Sequence, residues 1–571
     1  MNLFYHRLKG LRDLSFILSP KSIMSTFTNL EIGPIATIKD GKVRGEICQD
    51  ARGGKFYSFT GIPYAKPPIG PLRFKAPVPV DPWPDTLDAT KAGNTAVQEN
   101  FLTKLIDGSE DCLNLNVYTP CLPSTNTNKN VLKPVMVFIH GGSFLSGSNR
   151  KDLQGPELLI SEDIVLVAIN YRLGLFGFLA LDDPSLDVPG NAAFKDMVLA
   201  LKWVQNNIKN FLGDPNNVTI FGNSAGAASV HFLVLSPMAK GLFQKALCQS
   251  GSALSSWAYG YKMVDQLTEA LNLDKVSDKD LFNYLTNAPA EEIFRAQNYI
   301  DKKTIKCNRH RFIGAVVEPS GYTGQKFFSE HPVKLLLSGR YNKVPMIMGY
   351  NSGDGMIVDG MVEPEKNYIY WTDKEFNVPG LLNLEKGSQL SKQLGDEIIR
   401  FYFGNGDISR ETHLKEFYDI TTDNSFLRGI FMSVRQHCRT SNHPIFMYRL
   451  SLESDICFYK QLLDIQLPGV CHVDELGYLF RTILTQIPEP NSIEDLTQRR
   501  VCRMWTNFAK YGNPTPVKDP LLGAIWEPVT KSNHIPFLDI WEDLKVEYNP
   551  EIERMMFWDK IYSNGVMVSK L

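Results

Sequence analysis

The stretch VTIFGNSAGAASVHFL, residues 218–233, joins an apolar strand to a helix through a glycine-flanked serine. Residues 218–221 (VTIF) have the composition of a buried strand, and residues 227–233 can form a helix. Between them lies a G-x-S-x-G sequence centred on Ser224. A sharp strand-to-helix turn pushes the serine hydroxyl out of the backbone, and glycines flank it because side chains would clash there. The stretch therefore predicts a nucleophilic serine at the end of a strand.

The segments around this stretch alternate between strand-like and helix-like patterns. Residues 134–140 (PVMVFIH) and 164–172 (IVLVAINYR) predict strands, and residues 191–211 carry apolar side chains at helical spacing. Residues 346–349 and 445–448 predict later strands. The order strand, helix, strand is typical of a parallel sheet covered by helices. The predicted fold class is α/β, with a large, mostly parallel central sheet and helices on both faces.

A serine hydroxyl is a weak nucleophile at neutral pH, so it needs a base, and the base needs an orienting acid. His472 lies in a glycine-led loop, residues 469–476 (GVCHVDEL), which can leave one ring nitrogen free. Asp354 lies in a turn-rich loop, residues 349–355 (GYNSGDG), at the predicted carboxyl end of a strand. On local grounds a structural histidine and a turn aspartate remain alternatives. The chain order serine, aspartate, histidine favours the catalytic interpretation.

Acyl transfer also needs hydrogen-bond donors for the negatively charged oxygen of its tetrahedral intermediate. Residues 140–144 (HGGSF) follow a predicted strand and are similar to the HGGG loop, whose backbone N–H groups are such donors. We expect the oxyanion hole to consist of the N–H groups of Gly142, Ser143 and Ala225.

Taken together, these segments resemble the type-B carboxylesterases, which are cholinesterase-like α/β-hydrolases. Further matching segments are residues 59–65 (FTGIPYA), 71–74 (PLRF) and 110–118 (EDCLNLNVY). The resemblance covers nearly the whole chain, and the pattern is most similar to that of the insect α-esterases.

The resemblance implies an α/β-hydrolase fold for residues 31–571, with no cofactor and no metal. It also implies hydrolysis of small to medium apolar carboxylic esters, of lipid or xenobiotic origin, through an acyl-enzyme on Ser224. Organophosphates would then be covalent inhibitors.

Four departures from the family pattern stand out. Asp354 occupies the place of the usual glutamate, Ser143 that of a third glycine, and Asn223 that of an acidic residue. In secreted members of the family, the cysteine that corresponds to Cys112 forms a disulfide with an earlier cysteine. The segment where that earlier cysteine is expected, residues 94–98 (NTAVQ), contains no cysteine. The resemblance therefore favours a reducing compartment.

Several functional alternatives are weighed against the general esterase. Choline esterases hold their substrate's cation on a tryptophan that precedes the matching segment, and residues 95–110 contain no tryptophan. A specialised hormone esterase stays open, as does a catalytically inactive, esterase-like interaction protein. Such inactive proteins usually lack the serine or the histidine.

Trp257 is predicted to line the substrate pocket, with a core tryptophan as the alternative.

Composition excludes some classes of function. The 571 residues carry a formal net charge of −2, from 60 basic and 62 acidic residues. This balance gives no global reason to bind nucleic acid. The longest apolar runs are shorter than the ~20 residues that span a bilayer. The nine irregularly spaced cysteines predict reduced thiols rather than a disulfide framework.

Both ends of the chain carry candidate targeting signals. Residues 1–30 predict a basic amphipathic tail. A frayed surface helix, a segment that contacts a membrane or lipid surface, and a signal peptide stay open as its interpretations. Residues 569–571 are Ser-Lys-Leu, the tripeptide of peroxisomal import. We expect an intracellular protein in the cytosol, on a lipid surface or in the peroxisome.

Overall fold

The structure is a computed structural model. It describes residues 33–100, 103–124, 130–262, 264–274, 276–305, 313–361, 373–406, 408–531 and 534–564. The predicted N-terminal tail and the C-terminal Ser-Lys-Leu lie outside the described residues, and the domain boundary at residue 31 stays a prediction. Within the described ranges, no helix has both the length and the apolar composition to cross a membrane.

Strands occur along most of the described chain. They are β1 (Ile35–Ile38), β2 (Gly41–Arg44), β3 (Glu46–Gln49), β4 (Lys55–Pro63), β5 (Thr86–Asp88), β6 (Gln98–Glu99), β7 (Ile106–Asp107), β8 (Asn114–Thr119), β9 (Lys133–Ile139), β10 (Val165–Ile169), β11 (Gly213–Asn223), β12 (Lys245–Gln249), β13 (Met346–Asn351), β14 (Ile445–Leu450), β15 (Pro536–Ile540) and β16 (Leu544–Tyr548).

Helices separate many of these strands. They are α1 (Glu157–Ile160), α2 (Gly174–Phe178), α3 (Ala192–Asn207), α4 (Ala225–Leu235), α5 (Val264–Ala270), α6 (Asp278–Asn287), α7 (Ala290–Ile305), α8 (Pro332–Ser338), α9 (Val358–Met361), α10 (Gln389–Phe403), α11 (Arg410–Thr422), α12 (Arg428–Thr440), α13 (Phe458–Leu462), α14 (Ile493–Tyr511) and α15 (Ile552–Asn564). A π-helical turn, Asp423–Leu427, joins α11 to α12.

The largest sheet in the described part of the chain has eleven strands, in the order β16-β15-β14-β13-β12-β11-β9-β10-β8-β4-β3. All pairs from β10 to β15 are parallel, whereas the pairs at both edges are antiparallel. The parallel strands of the centre therefore end at one common edge, where their connecting loops meet.

The central strands are buried on both faces, as β9 shows. Val135 and Val137 belong to one hydrophobic core, and the alternating Met136 and Phe138 belong to the other. Helices α3, α4 and α12 contribute to the first core, and α1 and α14 to the second. The predicted arrangement, a mostly parallel sheet with helices on both faces, is confirmed.

Two details differ from the sequence-based expectation. The strand predicted for residues 164–172 ends at Ile169, and Arg172 instead forms a buried ion pair with Asp196 of α3, with Nη2 and Oδ1 2.6 Å apart. In addition, the strands before and after α3 are not neighbours, because β9 lies between them. The local pattern predicts a crossover, but the order of strands depends on long-range pairing.

Candidate active site

Ser224 occupies a strained turn between β11 and α4. Its backbone has φ 55° and ψ −123°, which few residues other than glycine adopt. A Cβ atom at Gly222 would lie 2.3 Å from the Ile139 carbonyl oxygen, and one at Gly226 only 2.0 Å from it. Both glycines are therefore required, because the end of β9 passes directly against the turn. The Ser224 side chain is at the carboxyl edge of the sheet, as predicted.

The loop that follows β9 has an unusual backbone. Gly142 has φ 106°, and Ser143 has φ 57°. A Cβ atom at Gly142 would lie 2.1 Å from the Ser146 carbonyl oxygen, so glycine is required there too. Within the described residues, the N–H groups of Gly142 and Ser143 have no backbone or side-chain acceptor. Ala225 is the first residue of α4, where helical N–H groups lack partners in the helix. All three predicted donors are therefore free to donate to a ligand oxygen.

This loop is fixed to its surroundings by hydrogen bonds and stacking. The Tyr171 hydroxyl donates to the His140 carbonyl oxygen at 2.8 Å, and the two rings stack with centroids 4.4 Å apart. Burial lowers the pKa of His140 to about 4, so its ring is neutral at pH 7. The Gly141 N–H donates to Asn223 Oδ1 at 3.1 Å. Asn223, the neutral residue before Ser224, thus joins the serine turn to the loop that carries Gly142 and Ser143.

The structure brings His472 and Asp354 into direct contact. His472 Nδ1 is 2.9 Å from Asp354 Oδ1, and both side chains are buried. The other carboxylate oxygen, Oδ2, accepts the Asn351 backbone N–H at 3.1 Å. A carboxylate that accepts the Nδ1 proton fixes the tautomer in which Nε2 is bare. The shorter aspartate therefore reaches the ring without an intervening group.

Hydrogen bonds also join the two loops that carry this pair. The Gly353 N–H donates to the Val470 carbonyl oxygen at 2.9 Å, and the Val470 N–H donates to Ser352 Oγ at 3.0 Å. Asn351 Nδ2 donates to the Cys471 carbonyl oxygen at 2.9 Å and to Glu475 Oε2 at 2.7 Å. The separation of the acid and the base is therefore set by backbone as well as side-chain contacts.

Trp257 lies one aromatic ring away from His472. Its half-buried side chain donates from Nε1 to the Ser425 carbonyl oxygen at 2.7 Å. The Phe426 ring lies between the two residues, with its centroid 6.1 Å from that of Trp257 and 4.4 Å from that of His472. Ser425 and Phe426 belong to the π-helical turn, a feature that is frequent at functional sites.

The sequence analysis assigned no role to three of these contact residues. Asn351 and Glu475 lie inside segments that the motifs mark, so polarity next to the candidate acid and base was an available signal. Phe426 follows an ordinary helical segment, and no motif identifies it. Its position depends on how α11 and the π-helical turn pack.

Among the described residues, no three His, Cys, Asp or Glu side chains are grouped so that they could hold an ion. The cysteines of the described ranges form no disulfide. Cys112 and Ala96 line the same small cavity, which places the expected neighbourhood of a second cysteine beside Cys112.

Comparison with known proteins adds independent findings. Residues 33–558 match the Carboxylesterase family. The chain is 34% identical to a juvenile hormone esterase of Tribolium castaneum, over 85% of this chain and 84% of that protein. It is also 34% identical to pyrethroid hydrolase Ces2e of Rattus norvegicus, over 84% of this chain and 82% of that protein. The solved structure of juvenile hormone esterase from Manduca sexta, with OTFP covalently attached, has a TM-score of 0.82 at 28% identity and covers 93% of this chain and 99% of that one.

Proposed function

The chain belongs to the carboxylesterase family and is a carboxylic ester hydrolase, and on that premise we propose that it acts through an acyl-enzyme on Ser224. The observation that carries the proposal is the buried contact of 2.9 Å between His472 and Asp354, at the sheet edge that also carries the strained Ser224. The resemblance to relatives and the free N–H groups of the neighbouring loop support the same assignment.

In the acylation step, the Ser224 hydroxyl oxygen attacks the ester carbonyl carbon while its proton passes to His472 Nε2. The resulting imidazolium keeps its proton on Nδ1 and donates it in a hydrogen bond to Asp354 Oδ1. The N–H groups of Gly142, Ser143 and Ala225 donate to the negatively charged carbonyl oxygen of the tetrahedral intermediate. Collapse of the intermediate breaks the bond to the alcohol oxygen, which takes the proton from His472 and leaves.

Deacylation repeats these steps with water as the nucleophile. His472 Nε2, bare again after the alcohol has left, removes a proton from water, and the hydroxide oxygen attacks the acyl carbon. The second tetrahedral intermediate uses the same three donors. When it collapses, the Ser224 oxygen regains its proton from His472 and the carboxylic acid is released.

For the substrate class we propose small to medium apolar esters. Trp257 and Phe426 provide aromatic surface beside His472, which suits apolar acyl or alcohol groups. The pyrethroid hydrolase among the relatives supports a xenobiotic ester. A hormone ester is the second candidate, because the relatives include two juvenile hormone esterases.

A burst-kinetics measurement and an intact-mass measurement test the proposal. We expect a nitrophenyl ester to give a burst of nitrophenol equal to the enzyme concentration, and an organophosphate to add one group to the Ser224 peptide. Ser224→Ala should abolish both and lower kcat by ~10³-fold or more. Ser433→Ala removes another buried helical hydroxyl, which bonds the Gly429 carbonyl oxygen, and should leave both intact. Full activity of Ser224→Ala, or an adduct on another residue, would contradict the mechanism.

Parallel kcat/KM measurements with a nitrophenyl acetate, a pyrethroid ester and a juvenile hormone ester separate the two substrate candidates. A preference of more than about 100-fold for the hormone ester would favour the specialised enzyme. The scale for this threshold is the change in kcat/KM of about 10- to 200-fold that follows the removal of one methylene in a fitted apolar pocket.

A further inference from the structure

The loop that carries two of the proposed oxyanion donors has a strained backbone. Three consecutive residues have positive φ: Gly142 at 106°, Ser143 at 57° and Phe144 at 64°. Serine and phenylalanine adopt this left-handed conformation only at a cost in energy, and such strain persists where the surrounding structure holds it in place. We call residues 141–147 the oxyanion turn. The contacts that hold this turn therefore determine where its free N–H groups point.

The oxyanion turn closes on itself. The Gly142 carbonyl oxygen accepts two N–H groups from the later part of the turn, at 2.9 and 3.0 Å. At the end of the turn, a Cβ atom on Gly147 would lie 2.4 Å from His140 Nδ1 and 2.6 Å from the Gly141 carbonyl oxygen. The Gly147 backbone therefore lies directly against the two residues that precede Gly142, so a displacement of Gly147 would be transmitted to the Gly142 donor.

A glutamine from a separate hairpin holds this end of the turn. Gln98 is the first residue of β6, which pairs with β7 outside the large sheet. Its side-chain Oε1 accepts the Gly147 N–H at 2.8 Å, and its Nε2 donates to the Gly147 carbonyl oxygen at 3.0 Å. Nε2 also donates to the Ala96 carbonyl oxygen at 3.2 Å. One half-buried amide therefore bonds both polar groups of the Gly147 backbone.

The chemistry of an amide suits it to this position. A side-chain amide has an acceptor and two donors in one plane, so it can pair with a backbone N–H and a backbone C=O at the same time. A carboxylate has no donor, and a hydrocarbon side chain has neither group. Ala96 and Val97 are buried in the first hydrophobic core, so the Gln98 amide extends from a fixed stretch of backbone.

Other contacts hold the opposite side of the turn. The Gly141 N–H donates to Asn223 Oδ1, and the buried Phe144 ring packs against Phe178 with the centroids 5.0 Å apart. These contacts hold the beginning and the middle of the turn, whereas Gln98 holds its end. Loss of the Gln98 contact would therefore leave the turn fixed on one side and able to relax its strain on the other.

We propose that Gln98 is a positioning residue for the oxyanion hole: its amide clamps Gly147 and thereby aligns the free N–H groups of the oxyanion turn with the reacting carbonyl oxygen. This inference rests on the proposed function, since it takes those N–H groups as the oxyanion donors. Because Gln98 acts through the turn, its removal should weaken binding of the transition state more than binding of the substrate.

Gln98→Met tests the clamp, since methionine has a similar length but forms neither hydrogen bond. We expect kcat and kcat/KM to fall together by about 10- to 100-fold, the scale of a small misplacement of groups that act in the transition state. KM should be nearly unchanged, because the same donors serve acylation and deacylation. Rates are normalised to the burst amplitude, which counts only folded, active sites. Wild-type kcat with a raised KM or a smaller burst would make Gln98 a structural residue and overturn the proposal.

A trifluoromethyl ketone provides a second measurement. Such a ketone adds to a nucleophilic serine and places a negatively charged oxygen where the tetrahedral intermediate has one, so tight binding requires aligned donors. We expect its affinity for Gln98→Met to fall by the same factor as kcat/KM. The corresponding alcohol cannot form the adduct and should bind both proteins equally. Equal affinity of the ketone for both proteins would overturn the proposal.

Gln205→Met is the matched control. Gln205 of α3 is also a half-buried glutamine, and its Nε2 donates to the carbonyl oxygens of Pro215 and Leu242. This variant should keep wild-type kcat and ketone affinity. Hydrogen exchange of the peptide that covers residues 140–149 should be faster in Gln98→Met and unchanged in Gln205→Met. Unchanged exchange in Gln98→Met would contradict the clamp.

Failure of the proposed function is recognised separately. It would appear as a burst retained by Ser224→Ala, or as ketone binding that does not depend on Ser224. Failure of this inference leaves both properties lost in Ser224→Ala, while Gln98→Met keeps wild-type kcat and ketone affinity.

Discussion

Asp354 is one methylene shorter than the glutamate usual at this place in the family, yet its carboxylate lies 2.9 Å from His472 Nδ1. The Gly353 N–H, which donates to the Val470 carbonyl oxygen, draws the two loops together at the residue before the aspartate. The short aspartate side chain can reach the ring because this backbone contact holds the two loops close together.

Replacing this carboxylate tests it at the residue scale. Asp354→Asn should lower kcat about 10³- to 10⁴-fold, because an amide stabilises the wrong histidine tautomer and cannot offset the imidazolium charge. Glu475→Gln, the same chemical change at a neighbouring buried carboxyl, is the matched control. The reverse pattern, in which only the Glu475 variant is impaired, would mean that Glu475 is the acid.

Ser143 has φ 57°, a conformation that glycine adopts without strain. Ser143→Gly should raise kcat/KM more for bulky acyl esters than for acetyl esters, because it removes the hydroxymethyl group that crowds the reacting carbonyl. It should leave the thermal midpoint unchanged or higher. Steady-state kinetics with an ester series measures the ratio, and an equal change for all esters would indicate that the side chain faces away from the acyl group.

At the scale of elements, the π-helical turn Asp423–Leu427 carries the aromatic contact to His472. Its extra residue per turn brings the Ser425 carbonyl oxygen to Trp257 Nε1 and the Phe426 ring to His472. This short turn therefore connects the candidate pocket to the candidate base.

Trp257→Leu should widen acyl-chain tolerance. We expect kcat/KM for a long-chain ester relative to acetate to rise about 10-fold, the lower end of the effect of one methylene in an apolar pocket. Trp203→Leu, on the buried face of α3, is the control for general destabilisation. A lower thermal midpoint in both variants, with selectivity unchanged, would make Trp257 a core residue.

The cavity that Ala96 and Cys112 share suggests a second test at this scale. Ala96→Cys should form a disulfide with Cys112 under oxidising conditions and stabilise the fold by about 3 kcal/mol, the value for a closed loop of roughly 15 residues. Peptide mapping and urea unfolding, with and without reductant, measure both effects. Free thiols in the oxidised variant would show that the two Cβ atoms are not within bonding reach.

At the scale of the whole molecule, His231 of α4 and His437 of α12 form a buried pair with their Nε2 atoms 2.8 Å apart. The Ala253 N–H donates to His231 Nδ1, so the proton of His231 lies on Nε2 and is donated to His437. The proton of His437 must then lie on Nδ1, which has no partner in the described part of the chain. Protonation of His437 at Nε2 would break the pair, and protonation of His231 at Nδ1 would break its contact with the Ala253 N–H.

This pair predicts loss of stability in acid. Burial lowers the pKa of His437 to about 3, and burial and its neighbour lower that of His231. Because the folded-state pKa values lie below the ordinary 6.5, the unfolded chain binds more protons below pH 6.5. For His437, stability should therefore fall by about 1.4 kcal/mol per pH unit as the pH drops from 6.5 towards 3, and His231 should add to this fall as the pH drops below 6.5.

Urea unfolding at pH 7, 6 and 5 measures this slope, and His437→Gln should reduce it because glutamine can accept the His231 proton without titrating. An identical slope in the variant would assign the acid sensitivity to other groups, such as the buried His140.

The fold class, the turn at Ser224 and the loop at Gly142 could be predicted from the sequence, because these features depend on local rules. Strand composition, glycines at positive φ and motif order are all readable within a few residues. His472 and Asp354 were named by the same means, and the structure places them in contact.

Three features depend on the assembled fold: β9 lies between β10 and β11, Phe426 lies against His472, and Asn351 joins the two loops of the acid and the base. These contacts join residues that are far apart in the chain. Their geometry follows from sheet register and helix packing, which no local pattern encodes, because the free energy that selects one register belongs to the assembled core.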